Sequence, residues 1–336
     1  MKKNLLAVAV AGALAIPGVA LAQVTVFGTI DTGVRNQSKA ITATGDDSVM
    51  MVTDGLRTTN RWGLRGSEDL GGGMMVNFWL ESPYNSDTGA TAFNNSRKSI
   101  LGLSGSNWSV DAGRDYTLNF KSQGIYDPMS YTYTGIAPTA GTNTAGVRSS
   151  NMVTAAMRFG AGGVRVDYAM SELPGDDFGT RTGFMGDFVF GPVTVTAALS
   201  SMDTSLIGST DTTNFGAVYK VGAFTLRAGM SNTETDTGVA ATSTETPMVV
   251  LGVQYAISPT WNGRFGYYDT SFETNGTETG TRKVTIIALD YVMSKRTTAY
   301  FAFDRTAITG TAPNTVLGVA SNDGATGISA GIAHSF

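Results

Sequence analysis

TTNRWGLRGSEDLGGGMMVNFWLE, residues 58–81, reads as two strands joined by a glycine turn. In Thr58–Glu68, Trp62 and Leu64 alternate with Arg61 and Arg65. In Met74–Glu81, Met74, Val76, Phe78 and Leu80 alternate with Asn77 and Glu81. Period two with one apolar face is the signature of a half-buried strand. The turn falls at Asp69-Leu70-Gly71-Gly72-Gly73. The charged face meets water, and the apolar face meets lipid.

Outward from this hairpin the same unit repeats. Val24–Arg35 sets Val24, Val26, Ile30 and Val34 against Thr25, Phe27, Asp31 and Arg35. Further strands fall near 97–104, 108–114, 148–158, 164–170, 181–190, 193–202, 212–220, 223–231, 246–256, 261–269, 282–293, 298–306 and 326–336, which makes sixteen. Tight turns such as Gly105-Ser106-Asn107 and Gly191-Pro192 alternate with long polar connections at 36–57, 82–96, 115–147, 171–180, 203–211, 232–245, 270–281 and 307–325. Short turns on one side and long loops on the other describe an outer-membrane barrel. The fold class is all-β, a 16-stranded antiparallel transmembrane β-barrel with both termini on the short-turn side.

Two places strain the register. Ile100, Leu101 and Leu103 occupy both faces of 97–104, and strict alternation puts Arg114 with Val110 and Ala112 toward lipid. The reading adopted is that Gly113 breaks the strand and Arg114 turns inward. In the last strand, Ile328, Ile332, His334 and Phe336 share a face, and the terminal aromatic suits an interface girdle.

The repeat fails once, over Asp115–Val147. These 33 residues show no sustained periodicity and carry three charges, Asp115, Lys121 and Asp127. A connection this long inside an ordered domain is usually functional or disordered. The expectation is a loop folded inside the wall, narrowing a water-filled hole, with Tyr116, Phe120, Tyr126, Tyr131 and Tyr133 to pack it.

Composition narrows the class. Lys2, Lys3, an apolar run Leu5–Ile16, Pro17-Gly18 and Ala20-Leu21-Ala22 read as a cleavable export signal over 1–22. Removing it leaves 23–336 as the barrel domain, 314 residues with 21 basic against 27 acidic groups. That balance argues against a nucleic-acid partner. The chain has no cysteine, so it holds together without disulfides. No 18 consecutive apolar residues occur after residue 22, which excludes a helical membrane protein but not a barrel.

Chemistry finds little support. The single histidine, His334, sits two residues from the terminus on the lipid-facing parity, which suits neither a triad nor a metal site. No phosphate-cradling glycine motif precedes a helix. Asp46-Asp47, Asp176-Asp177 and the run Glu234–Asp236 read as solvated loop acids. No catalytic residue, metal or cofactor is expected.

The segments QVTVFGTIDTG (23–33), NRWGLRGSEDLGGGMMVNFWLES (60–82), LGLSG with VDAGRDYT (101–105, 110–117), RSSN (148–151), QYAISPT and DYVMSKRT (254–260, 290–297) and GIAHSF at the end resemble the Gram-negative general-diffusion porins of the proteobacterial and neisserial type. The resemblance spans nearly all of 23–336. It implies an outer-membrane homotrimer of barrels, embedded in outer-membrane lipid, passing ions and small hydrophilic solutes by passive diffusion through a pore narrowed by its third outer loop. It maps the family's inward arginines onto Arg35, Arg61, Arg97 and Arg114, and its post-loop arginine onto Arg148. Asp115, Lys121 and Asp127 are then the loop charges of the constriction. The chain departs from the family in having few loop acids, and in carrying Ala333 and Ser335 where a basic residue is common. A substrate-specific channel on the same barrel is the alternative, with Tyr116, Phe120, Tyr126 and Tyr131 as a stacking track.

Strand parity alone places Arg35, Arg61, Arg65, Arg148, Arg165, Arg227 and Arg264 in the lumen, with Asp31, Glu81, Asp167, Asp187 and Asp304. On the lipid face an arginine costs about 2–4 kcal/mol at the midplane. Basic groups on one wall opposite loop acids would set up a transverse field that filters charge. For Arg65, Arg227 and Arg264, tethering the loop is an equal reading.

Overall fold

Period-two alternation produces strands that hydrogen-bond antiparallel to their neighbours all the way round. Thr25–Thr42 closes the sheet on Gly324–Ser335, with Thr29 opposite Ser335 and Gln37 opposite Gly327. The computed structural model describes residues 24–90, 95–138, 146–174, 177–204, 208–238 and 242–336. The export signal read at 1–22 and Asp176 lie outside the described residues, as do 139–145 of the inward loop.

The eighteen strands of the closed sheet make sixteen staves, because two staves come in two pieces. Gly45–Asp54 and Arg61–Gly71 are consecutive neighbours of the first strand, and Ser243–Glu245 and Met248–Ala256 share the next stave after Phe224–Asp236. Closure leaves no unpaired edge, which a lipid environment demands. The outward face is apolar: Val26 and Leu101 are each 61% exposed and Phe190 is 63% exposed.

Two connections read as long loops are strands. Residues 36–57 continue the first strand to Thr42 and return as Gly45–Asp54. Residues 270–281 extend Trp261–Thr274 and Thr277–Val292, joined by Asn275-Gly276 with φ of 49° and 72°. That is the two-residue hairpin turn that Asn-Gly favours. Over most of these residues both faces are polar, and over Val49–Val52 both are apolar, so the hydrophobic contrast that reveals period two disappears.

The break in the second stave, 55–60, folds into the lumen. Gly55 (φ 68°) starts it, Leu56 is buried, and Arg57 crosses to Asp290 with Nε and Nη2 each 3.0 Å from a carboxylate oxygen. Asn60 donates back to the Asp31 carbonyl at 3.0 Å.

The inward loop is not structureless. The strand Trp108–Tyr116 leads through Thr117, whose hydroxyl accepts from Phe120 N, into helix α1, Leu118–Tyr126. A side-chain cap of this kind satisfies one of the orphan donors at a helix start. Helix α1 lies on the inner wall: Asn119 Nδ2 donates to the Thr212 carbonyl at 3.0 Å, and Ser122 bonds Thr196. Past it, Met129, Tyr133 and Ile136 pack with Val250, Tyr268, Val284 and Ile286. The loop therefore docks through polar contacts along α1 and through apolar ones beyond it.

Candidate functional site

The loop divides the lumen and leaves a cavity of about 770 Å³ between itself and the wall built by the early strands. The wall contributes Arg61, Arg65, Glu81, Arg97 and Arg148; the loop contributes Ser130, Tyr131, Thr132 and Thr134, with Phe120 behind them. Arg61 and Arg65 share a face of one strand, and pairing puts Trp79 and Glu81 beside them from the next.

Four guanidinium groups meet one side-chain carboxylate here. Arg97 Nε donates to Glu81 Oε1 at 2.6 Å, and Arg61 Nε lies 3.9 Å from Oε2. Arg65 sits 5.2 Å from the Phe27 ring centre and 5.3 Å from that of Trp79. Arg148 lies 4.4 Å over the Tyr116 ring and donates to the Tyr116 hydroxyl at 2.8 Å; that hydroxyl also accepts from Arg97 at 3.1 Å. Arg65 and Arg148 have no carboxylate partner among the described residues; aromatic faces hold them instead.

The stack continues into the loop. Tyr116 and Phe120 are stacked with centres 4.8 Å apart, and Phe120 and Tyr131 with centres 4.2 Å apart and planes 6° from parallel. Gly124 N donates to the Tyr131 hydroxyl at 2.8 Å, and burial keeps that phenol well above its ordinary value of 10. Phe120 is sandwiched between Tyr116 and Tyr131, and Arg148 covers Tyr116. Tyr126 is fully buried elsewhere, so a four-ring track along the pore does not form.

The loop acids are sequestered. Asp115 is 5% exposed and lies between Lys98 at 3.1 Å and Lys121 at 2.9 Å. Asp127 is buried and accepts from Tyr268 Oη, Tyr131 N and Met129 N. Burial raises its carboxyl above the usual range, with those donors working in the other direction. The loop therefore presents hydroxyls to the arginines, not carboxylates, and the expected face-to-face field of opposite signs is replaced by a one-sided positive wall.

Two mapped arginines lie off the cavity. Arg35 points inward as parity requires, but it is 1% exposed and bidentate to Asp304 at 2.6 and 2.9 Å, sealed beneath Val316, to whose carbonyl Gln37 donates. Arg114 stands opposite Ser99 in the ladder, on the face that carries Leu101, and bonds Ser96 O and Ser150 Oγ. Gly113 (φ 130°) does precede a register shift, but the shift skips Arg114 in the next pairing, and Asp115, on the parity of Asp111, keeps the inward side.

The remaining inward charges hold the architecture. Arg165 pairs with Asp187, and Arg181 with Asp167 at 2.9 Å. Arg227 donates to the Ile125 carbonyl, and Arg264 to that of Met129 at 2.8 Å while reaching Asp290 at 3.2 Å. Both are loop tethers. Lys98, Arg57, Arg181 and Asp290 escaped the sequence reading, although Arg181 and Lys98 lie on inward parity within their strands.

A profile of the family described as Gram-negative porin matches residues 7–311. The chain is 32% identical over 365 aligned positions to outer membrane porin protein 32 of Delftia acidovorans, covering all of both chains. It is 36% identical to an outer membrane porin protein of Bordetella pertussis over 143 residues, 38% of this chain and 37% of that one. Among solved structures it is similar to an anion-selective porin from Comamonas acidovorans, with a TM-score of 0.83 and 25% identity, covering 94% of this chain and 100% of that one.

Proposed function

The chain belongs to the Gram-negative porin family, and on that premise we propose that it is an anion-preferring diffusion channel whose selectivity is set between the Arg61–Arg65–Arg97–Arg148 wall and the Ser130–Thr134 face of the loop. As an outer-membrane porin it passes ions and small hydrophilic solutes passively, without catalysis. The observation that carries the preference is the imbalance of charge: four guanidiniums face one carboxylate side chain, and both loop acids are withdrawn. In a narrow, low-dielectric passage such an excess attracts anions and repels cations. The similar Comamonas porin, described as anion-selective, supports the same sign. Reversal potential across a planar bilayer in a KCl gradient tests it: the expected sign is that of chloride, and a potassium-side reversal refutes it.

Assembly as a homotrimer is part of the proposal. Exposed aromatics such as Trp108, Phe190, Phe224, Trp261 and Tyr291 mark the short-turn end from the fifth stave round to the fourteenth. The same level on the first staves carries Val24, Val26, Leu70 and Met74. Aromatic girdles seek the headgroup region, so the face without one suits protein contact. A solved Vibrio cholerae OmpT structure is described as a trimer form. Light scattering of the detergent-solubilised protein tests the stoichiometry, and terminal sequencing of the exported chain tests cleavage after Ala22.

A further inference from the structure

We infer that the recess on the outer side of the inward loop binds small hydroxylated carboxylates, of the aldonate or uronate class, through Arg282 and the threonine wall around it. This deepens the anion-preferring reading above and rests on it.

The recess, of about 540 Å³, lies between Thr134–Pro138 of the loop and the inner faces of the strands Phe224–Asp236 to Thr277–Val292. Thr270 and Arg282 stand directly opposite each other in the ladder and face into it together. Thr270 is 5% exposed, and neither its hydroxyl nor Arg282 Nε has a hydrogen-bond partner among the described residues. The Arg282 guanidinium makes only a 3.5 Å contact to the Pro313 carbonyl among those residues. Orphaned buried polar atoms carry a desolvation cost that a bound acceptor relieves. Both belong to paired residues that line one cavity, which leaves it with donors that no group among the described residues uses.

The chemistry of the lining sets the class of solute. A guanidinium donates in a planar fork that matches a carboxylate. Glu245 and Glu273 border the recess but lie one residue off the inward register of Thr244 and Thr274, and the Glu245 carboxylate accepts from Asn232. Arg282 is therefore the inward-facing charge of the recess. Threonine hydroxyls both donate and accept, as the hydroxyls of a sugar acid do, and Ile136, Met248 and Phe272 offer apolar surface to its C–H face. Thr134 lines this recess and the constriction cavity alike. A solute leaving Arg282 thus passes one residue before it meets the arginine wall.

Single channels in KCl, with potassium gluconate added on the long-loop side, provide the test. Wild-type channels should show a saturable, concentration-dependent reduction of current. In Arg282→Gln the half-blocking concentration should rise about tenfold or more, the effect of losing a charged hydrogen bond. Thr270→Val, nearly isosteric and kinder to folding, should raise it about threefold. Absence of block in wild type, or equal block in wild type and both variants, overturns the site. The wild-type reversal potential recorded on the same bilayers separates the two readings. A chloride-side reversal without gluconate block removes the recess alone, whereas a potassium-side reversal removes the anion preference on which it rests.

Discussion

The ring of Tyr126 fills the space that a side chain at Gly216 would need: a Cβ there would stand 2.1 Å from the ring. Gly229, directly across the ladder from Gly216, is in the same position at 2.2 Å. A second opposed pair, Gly252 and Gly266, lies under Pro128 and Met129. Glycine weakens a strand by about 0.5–1 kcal/mol relative to alanine, and here it makes the dents that seat the loop.

Filling a dent should therefore open the pore. Gly216→Val or Gly229→Val should weaken loop docking by about 1–3 kcal/mol, the usual cost of overpacking, while the barrel still closes. Single-channel conductance should rise. Unchanged conductance would mean that the loop is not the constriction or is anchored without Tyr126.

Selectivity should reside in the free guanidiniums. Replacing Arg65 and Arg148 with Ser should move the KCl reversal potential toward that of potassium, more strongly at low salt, because the Debye length falls from about 30 Å at 0.01 M to about 3 Å at 1 M. An effect independent of ionic strength would point to a change of shape instead of charge.

Arg35 should behave differently. Removing only its side chain strands the Asp304 carboxylate in a fully buried site, a loss of about 3–5 kcal/mol. Arg35→Ala should lower the thermal unfolding temperature in detergent, and a combined Arg35→Met, Asp304→Leu change should recover much of it. If the single variant instead shifts reversal potential at unchanged stability, Arg35 reaches the pore after all.

The Asp127 staple gives a pH dependence with a defined sign. Its carboxyl, on the loop and outside the spanning strands, is raised above 3.8 by burial. As pH climbs from 3.8 through that raised value, the released loop ionises before the docked one, so docking is tightest on the acid side and weakens upward. Open-channel noise should increase over that interval, and Asp127→Asn should flatten the trend. Noise falling with rising pH would contradict the assignment.

How much of this was legible follows from contrast. In 58–81 apolar residues alternate with charged ones, so strands and facing can be read directly. In 36–48 and 270–281 both faces are mostly polar, and in Val49–Val52 both are apolar, so the strands vanish from view, although Asn275-Gly276 marked the hairpin. The nine residues of α1 carry no clean helical stripe because wall and loop surround them.

Alternation along the chain determined the wall: sixteen staves, an apolar outside, and the inward side for Arg35, Arg61, Arg65, Arg148, Arg165, Arg227 and Arg264, since period two is a local property of the backbone. Only the closed tertiary structure decided which inward charges stay free. Arg35 meets Asp304 from 269 residues away, and Asp290 is claimed by Arg57 from 233 residues away. Coulomb attraction falls with distance in space, not along the sequence.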